Sequence, residues 1–267
     1  MLSQRRQKEI ARLRHRKYRE RDGAFLVEGV RAVQSAVDGG AEIVELIVER
    51  RRTDEADVAA IVTQVGDLMQ ADATVVDVKV VDEPTMARLS DVMASQGVLA
   101  VVRMPDRDAS RLVGFERVLA LDGVQDPGNA GTLIRTAAWF GIDGVLAGAG
   151  TVDFFNPKVV RSSMGGTFDV ALAATDDLAA WLREAKGRGV NVYAADMDGT
   201  AAEAWHPVAP SVLVVGNEGS GLSSDVAACV DERITIAKAN GGGRGVESLN
   251  VAQAASILGY LWTRRAT

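Results

Sequence analysis

The sequence predicts an α/β protein: a small α/β unit over residues 1–104, a linker over 105–115, and a larger parallel-sheet domain over 116–267. Three observations predict it. Strand and helix patterns alternate from residue 116 onward. The strands expected at 118–124 and 212–215 are nearly continuous apolar runs, as in a sheet covered on both faces. The composition of the 267 residues, 47% hydrophobic and 25% charged, is that of a globular chain able to bury a core.

In the first unit, Ile10, Leu13 and Tyr18 give a basic N-terminal helix a thin apolar stripe. Phe25–Gly29 is extended, and Val30–Val37 is a helix stopped by Gly39 and Gly40. Ile43–Val48 is a strand, and Val58–Met69 has helical apolar spacing. Thr74–Val78 and Val98–Val102 are β-branched strands. The polar run from Pro105 to Ser110 reads as linker.

In the second, Val118–Val124 is a strand and Thr132–Phe140 a helix. Gly144–Ala147 is a strand, and Asn156-Pro157 opens a helix that Gly165-Gly166 ends. Phe168–Leu172 is a strand, and Asp176–Lys186 is a helix capped by Thr175. Val190–Ala194, Val212–Val215 and Ile234–Ala237 are strands, with a short helix at Ser224–Val230. A final helix starts near Ser248, whose hydroxyl is a candidate cap, and runs to Arg264.

The total charge is −6, yet residues 1–21 hold nine Lys or Arg against Glu9 and Glu20, about +7. Such a basic arm on an acidic body has phosphates as one natural partner, a solvated basic helix being the alternative. A single cysteine, Cys229, excludes an internal disulfide and speaks against a thiolate metal site. His15 and His206 are too few for zinc, and no metal is expected. No apolar run approaches a membrane span, and the N-terminus lacks a secretory apolar stretch, so a cytoplasmic location without membrane contact is expected.

Ligands of parallel α/β sheets gather beyond the carboxyl ends of the strands. Three glycine-rich loops fall there: Asp126–Gly131, Gly216–Gly221 and Asn240–Gly245. Neither a Walker A sequence nor Gly-x-Gly-x-x-Gly after a strand is present, which disfavours a nucleotide hydrolase or dinucleotide oxidoreductase. No Ser-His-Asp arrangement is visible.

The stretch Leu121–Ala137 resembles the first motif of the SpoU/TrmH RNA ribose methyltransferases of the SPOUT superfamily. Val214–Leu222 resembles the second motif, and Ile234–Ile236 with Glu247–Ala252 the third. Asn156–Gly165 also looks typical of that family, and residues 1–104, with Gly23–Gly29 and Gln96–Val102, resemble the ribosomal-protein-like RNA-binding domain that often precedes it. The resemblance implies 2′-O-methylation of a ribose in structured RNA, ribosomal RNA in particular, with S-adenosylmethionine as cofactor. It also implies a C-terminal trefoil knot and a homodimer whose second subunit completes the active site. Transfer RNA as substrate, or an RNA-binding protein of this fold without chemistry, are the alternatives.

Carried over residue by residue, the resemblance places Gly216, Ile236 and Leu249 at the cofactor and Arg135, Asn129, Glu218, Ser248 and Asn250 at the reacting ribose. An arginine is a poor base, so the expected role of Arg135 is to clamp phosphate and ribose and to stabilise charge developing on oxygen. Asn129 is either a helix cap or an ordering residue of the site. Glu218 is expected to hold Arg135 or loop amides. The third motif departs from the family: Ile236-Ala237-Lys238 replaces Ile-Pro-Met, and a longer glycine-rich run follows. That run, with Arg244, reads either as a tolerated insertion or as a lid that closes on an RNA phosphate.

Overall fold

The computed structural model describes residues 2–72, 76–239, 245 and 247–265. The glycine-rich run with Arg244, read above as insertion or lid, lies outside the described residues apart from Gly245. The chain forms two compact units: Met1–Pro105 with Phe155–Phe168, and Asp106–Phe154 with Asp169–Thr267. Among the described residues no helix is long and apolar enough to cross a membrane.

The first unit opens with two short helices, α1 (Gln4–Arg12) and α2 (Arg16–Asp22), where one was expected. The break at Leu13–His15 has a physical cause. The Arg19 side chain is buried, and its guanidinium donates to the Leu13 and Arg14 carbonyls that the end of α1 leaves open. The segment is therefore no arm. Leu2, Ile10 and Leu13 are buried in the same core as Leu26, Ile47 and Leu99, and Arg6 is paired to the buried Glu45.

Strand β1 (Ala24–Glu28), α3 (Val30–Asp38), β2 (Ile43–Glu49), α4 (Ala56–Asp72), β3 (Asp77–Val81), α5 (Glu83–Leu89) and β4 (Val98–Arg103) follow. The sheet runs β1-β4-β2-β3, with β3 parallel to β2 and the other pairs antiparallel. β3 starts later than the Thr74–Val78 strand read from sequence, of which residues 74 and 75 lie outside the described residues. α5 was not expected, although its signals are present: Asp82 accepts from the Thr85 amide, and Pro84 sits in the first turn. A later helix, Pro157–Ser162, also belongs to this unit; it is α7 in chain order, after α6 (Pro127–Phe140). Asn156 caps it as expected, and Phe155 beside it packs on Phe25 with ring centroids 4.7 Å apart.

The second unit holds a six-stranded sheet in the order β10-β8-β9-β5-β6-β7, with every pair parallel. The strands are β5 (Arg117–Asp122), β6 (Gly144–Ala147), β7 (Ala171–Ala174), β8 (Asn191–Ala201), β9 (Ser211–Gly216) and β10 (Glu232–Thr235). The helices are α6, α8 (Leu178–Gly187), α9 (Ser224–Ala227) and α10 (Val251–Arg265). Val118, Ala120, Val212 and Val214 of the central strands share a core with Trp181 and Leu182 of α8. Ala109, Leu112 and Val113 belong to that core too, so the stretch read as linker carries an anchored turn that Asp108 caps. α10 packs on α6, with Thr136 and Ser256 hydroxyls 3.0 Å apart, and the buried Trp262 indole donates to Ser211 Oγ at 2.8 Å.

After β5 the chain moves outward to β6 and β7, and it later returns to build β8 and β9 on the other side. The switch point of the sheet therefore lies between β5 and β9, whose carboxyl ends pair at Asp122 and Gly216. That is where such sheets bind ligands.

Candidate active site at the switch point

The loop read between β5 and its helix is helical instead. α6 starts at Pro127, and Asp126 is its cap, accepting from the Asn129 amide at 2.8 Å. A Cβ at Gly128 would meet the capping Asp126 Oδ1 at 2.8 Å, so a side chain there would push on the cap. Asn129 is thus not a cap, and its side chain is available to the site. Two further caps differ in the same way. Asp177, not Thr175, caps α8. Asn250, not Ser248, caps α10: its Oδ1 accepts from the Ala252 and Gln253 amides. In each case a planar side-chain oxygen reaches an amide two or three residues ahead.

Three of the residues expected at the reacting ribose are joined by hydrogen bonds. Asn250 Nδ2 donates to Asn129 Oδ1 at 2.9 Å, and Asn129 Nδ2 donates to Glu218 Oε1 at 2.9 Å. The Gln125 and Asp126 amides also approach the Glu218 carboxylate, both at 3.4 Å. Every donor along this line points toward Glu218. The amide orientations follow from it: the carboxylate only accepts, so Asn129 turns its nitrogen there and its oxygen to Asn250. Burial works to raise the Glu218 carboxyl, but the hydrogen bonds from Asn129 and from the loop amides outweigh it and hold the group below the usual carboxylate range. Glu218 holds loop amides and Asn129; Arg135 is not among its partners.

Asn217 was not singled out in the sequence, yet it ties the same two loops together. Its Nδ2 donates to the Gly123 carbonyl at 2.8 Å, and its Oδ1 accepts from the Gly219 and Ser220 amides. Its position between Gly216 and Glu218 in the second motif was the available signal. Gly216 itself has no room for a side chain, since a Cβ would meet the Gly221 carbonyl carbon at 2.5 Å. Ile236 is half-buried, and Leu249 is 46% exposed.

Asn129, Thr132, Leu249, Asn250, Gln253 and Ile257 line a groove of about 510 Å³ along α6 and α10. Arg135 lies one stripe further along α6, where Thr132, Arg135 and Trp139 are all exposed. Ser248 is exposed just before the cap of α10. No group of three or more His, Cys, Asp or Glu side chains is placed to hold a metal among the described residues.

The two roles of Asn250 are separable. Asn250→Ala removes the cap and is expected to lower stability by about 1 kcal/mol as well as activity. Asn250→Asp keeps an acceptor for the Ala252 and Gln253 amides but sets an oxygen against Asn129 Oδ1. It is expected to melt like the wild type and to turn over more slowly; thermal melts beside initial rates check both, and an Asp variant of full activity would remove Asn250 from the site.

The protein is thus a parallel α/β domain with a polarised side-chain network at its switch point, joined to a separate mixed α/β unit. The chain belongs to the SpoU rRNA Methylase family, whose model matches residues 116–260. The MRM3-like substrate binding domain matches residues 5–100. The 23S rRNA (guanosine(2553)-2′-O)-methyltransferase RlmP of Bacillus subtilis is 31% identical, over 95% of this chain and 94% of its own. A TrmH-family putative RNA methyltransferase from Porphyromonas gingivalis superposes with a TM-score of 0.83 at 37% identity, over the whole of both chains. The SpoU methyltransferase AviRb from Streptomyces viridochromogenes, solved in complex with the cofactor AdoMet, gives 0.83 at 26% identity over 98% of each chain.

Proposed function

We propose that this protein transfers a methyl group from S-adenosylmethionine to a ribose 2′-hydroxyl of structured RNA, ribosomal RNA in particular. The observation that carries this reading is the Glu218–Asn129–Asn250 network, which joins all three motif segments at the end of the sheet. The same reading places the protein with ribosomal RNA in the cytoplasm.

The residues present fit the cofactor. Gly216 lets the loop fold tightly back on Gly221 at the end of β9, and the half-buried Ile236 and exposed Leu249 add apolar surface. When bound, S-adenosylmethionine supplies a methyl group on a sulfonium. Arg135 clamps the RNA phosphate and ribose and stabilises negative charge on the 2′-oxygen. Asn129 and Asn250 order the ribose, with Ser248 beside them. Glu218 orients Asn129, its oxygens taken up by Asn129 and the loop amides, which gives it a positioning role. Calorimetry in the presence of a chelator tests the cofactor assignment: micromolar to submillimolar binding is expected, and no heat at millimolar S-adenosylmethionine would overturn it.

Two finer features belong to the same reading. The first is a trefoil knot: α10 returns over β9 and α6 after β10 has joined the far edge of the sheet, which fits a chain end drawn through a loop. The second is a homodimer. Trp139 (82% exposed) on α6, and Ile257 (43%) and Tyr260 (51%) on α10, leave apolar surface uncovered on the two helices that line the groove. A second copy seated there faces Arg135 and completes the site. Trp139→Asp is expected to shift the solution mass from dimer to monomer and to abolish turnover; sedimentation equilibrium at micromolar concentration is the check, and a wild-type monomer contradicts the dimer.

A further inference from the structure

We propose that one face of α1 and α2 is a phosphate-binding platform for the RNA substrate, built from Lys8, Arg12, Lys17 and Arg21 around Tyr18; it rests on the RNA-modifying function above. Most other basic groups of the segment are committed elsewhere. Arg5 pairs with Glu9, and Arg6 with Glu45 and Glu9. Arg14 donates to the Arg88 and Ser90 carbonyls, Arg16 pairs with Glu20, and Arg19 is buried against carbonyls. Lys8, Arg12 and Lys17 are left, and Arg21 pairs with its own neighbour Asp22; all four are exposed.

These four side chains are not scattered. Lys8 and Arg12 are four residues apart on one face of α1, and Lys17 and Arg21 are four apart on α2. Tyr18 joins the pairs. The Arg12 guanidinium lies 5.5 Å from its ring centroid and that of Arg21 4.9 Å. Lys8 and Lys17 have no ion pair among the described residues. Asp22 is bonded to Arg21 at 2.6 and 2.9 Å, and Glu9 also lies close enough to act on the Arg21 charge. The hydrogen bonds from Arg21, more than the charges of Arg6 and Arg12, hold the Asp22 carboxyl below the usual range.

The chemistry selects the occupant. The apolar residues Ile10 and Leu13 are spent in the core, so the face offers nothing to a bilayer or an apolar protein surface. Guanidinium groups ordered on a ring lose little entropy on meeting a phosphate and match its oxygens in a fork. A polyanionic backbone of regular charge spacing is what four cations spread over two helices accommodate. Tyr18 acts as a positioning residue, keeping Arg12 and Arg21 extended from the surface.

The test is binding of the full-length protein to fluorescently labelled ribosomal RNA across a salt series. Combined Lys8→Gln, Arg12→Gln and Lys17→Gln substitutions are expected to flatten the slope of log affinity against log salt by about two units, at roughly 0.7–0.9 for each phosphate no longer neutralised. Melting temperature and S-adenosylmethionine affinity stay at wild-type values. Tyr18→Leu, which keeps every charge, weakens RNA binding severalfold, whereas Tyr18→Phe, which keeps the ring, does not. A triple variant with the wild-type slope overturns the platform while leaving the enzyme reading intact. Equal weakening by Tyr18→Leu and Tyr18→Phe overturns the role of the ring. Polyglutamate displacing the RNA as well as unlabelled RNA does overturns RNA as the occupant. A wild-type protein that binds S-adenosylmethionine but no RNA overturns the functional reading itself.

Discussion

Arg135→Ala is expected to lower turnover about 10²- to 10³-fold, the cost of removing one donor aimed at a developing oxyanion, while S-adenosylmethionine binds unchanged. Arg135 is exposed, and no hydrogen bond of the Glu218–Asn129–Asn250 network runs through it. Its removal therefore leaves the fold and the loops intact. It sits six residues beyond Asn129, about 9 Å along the helix axis, and its side chain is exposed. Arg135→Lys restores the charge but not the fork and is expected to recover only part of the rate. Rates and calorimetry on the same preparations check this. Parallel loss of cofactor affinity and turnover in Arg135→Ala would contradict an RNA-side role.

The second large effect is expected from Glu218→Gln. The glutamine oxygen still accepts from one partner, but its NH₂ then faces the Gln125 and Asp126 amides or Asn129 Nδ2, donor against donor. Hydrogen bonds to charged groups contribute about 1.5–3 kcal/mol, and solvent exposure places Glu218 at the low end, so a fall in kcat of about tenfold is expected. The pH dependence has a definite sign. The folded carboxyl is held below its unfolded value of roughly 4.3. The order it imposes is therefore complete above that pH and is lost only as pH falls through the lower folded value. Between pH 6 and 9 the rate profile of the wild type carries no inflexion belonging to Glu218. A neutral-range inflexion that disappears in Glu218→Gln would make Glu218 the base and contradict the positioning role.

What the sequence disclosed divides along physical lines. Val118–Leu121 and Val212–Val215 are buried on both faces, and their unbroken apolar runs mark central parallel strands without ambiguity. The order of those strands has no local signature, since pairing across the sheet joins residues about a hundred positions apart. α6 begins in what reads as a turn, because Asp126-Pro127-Gly128-Asn129 carries turn residues that here serve as cap, first position and close approach. Arg19 belonged to a basic run whose count says nothing of burial, and it became a core residue only because open carbonyls awaited it. Asn129, Glu218 and Asn250 were legible as motif residues through their resemblance to a known family. Their connection was not: Asn129 meets Glu218 across 89 residues and Asn250 across 121.

The central claim is tested most directly by incubating the purified protein with methyl-tritiated S-adenosylmethionine and ribosomal RNA, then mapping the label. Methylation of a 2′-oxygen blocks alkaline cleavage of the adjoining phosphodiester. The expected result is label in one alkali-resistant dinucleotide from a single position of the RNA, absent with Arg135→Ala. Label on a base, or no transfer by folded protein that binds both cofactor and RNA, would contradict it.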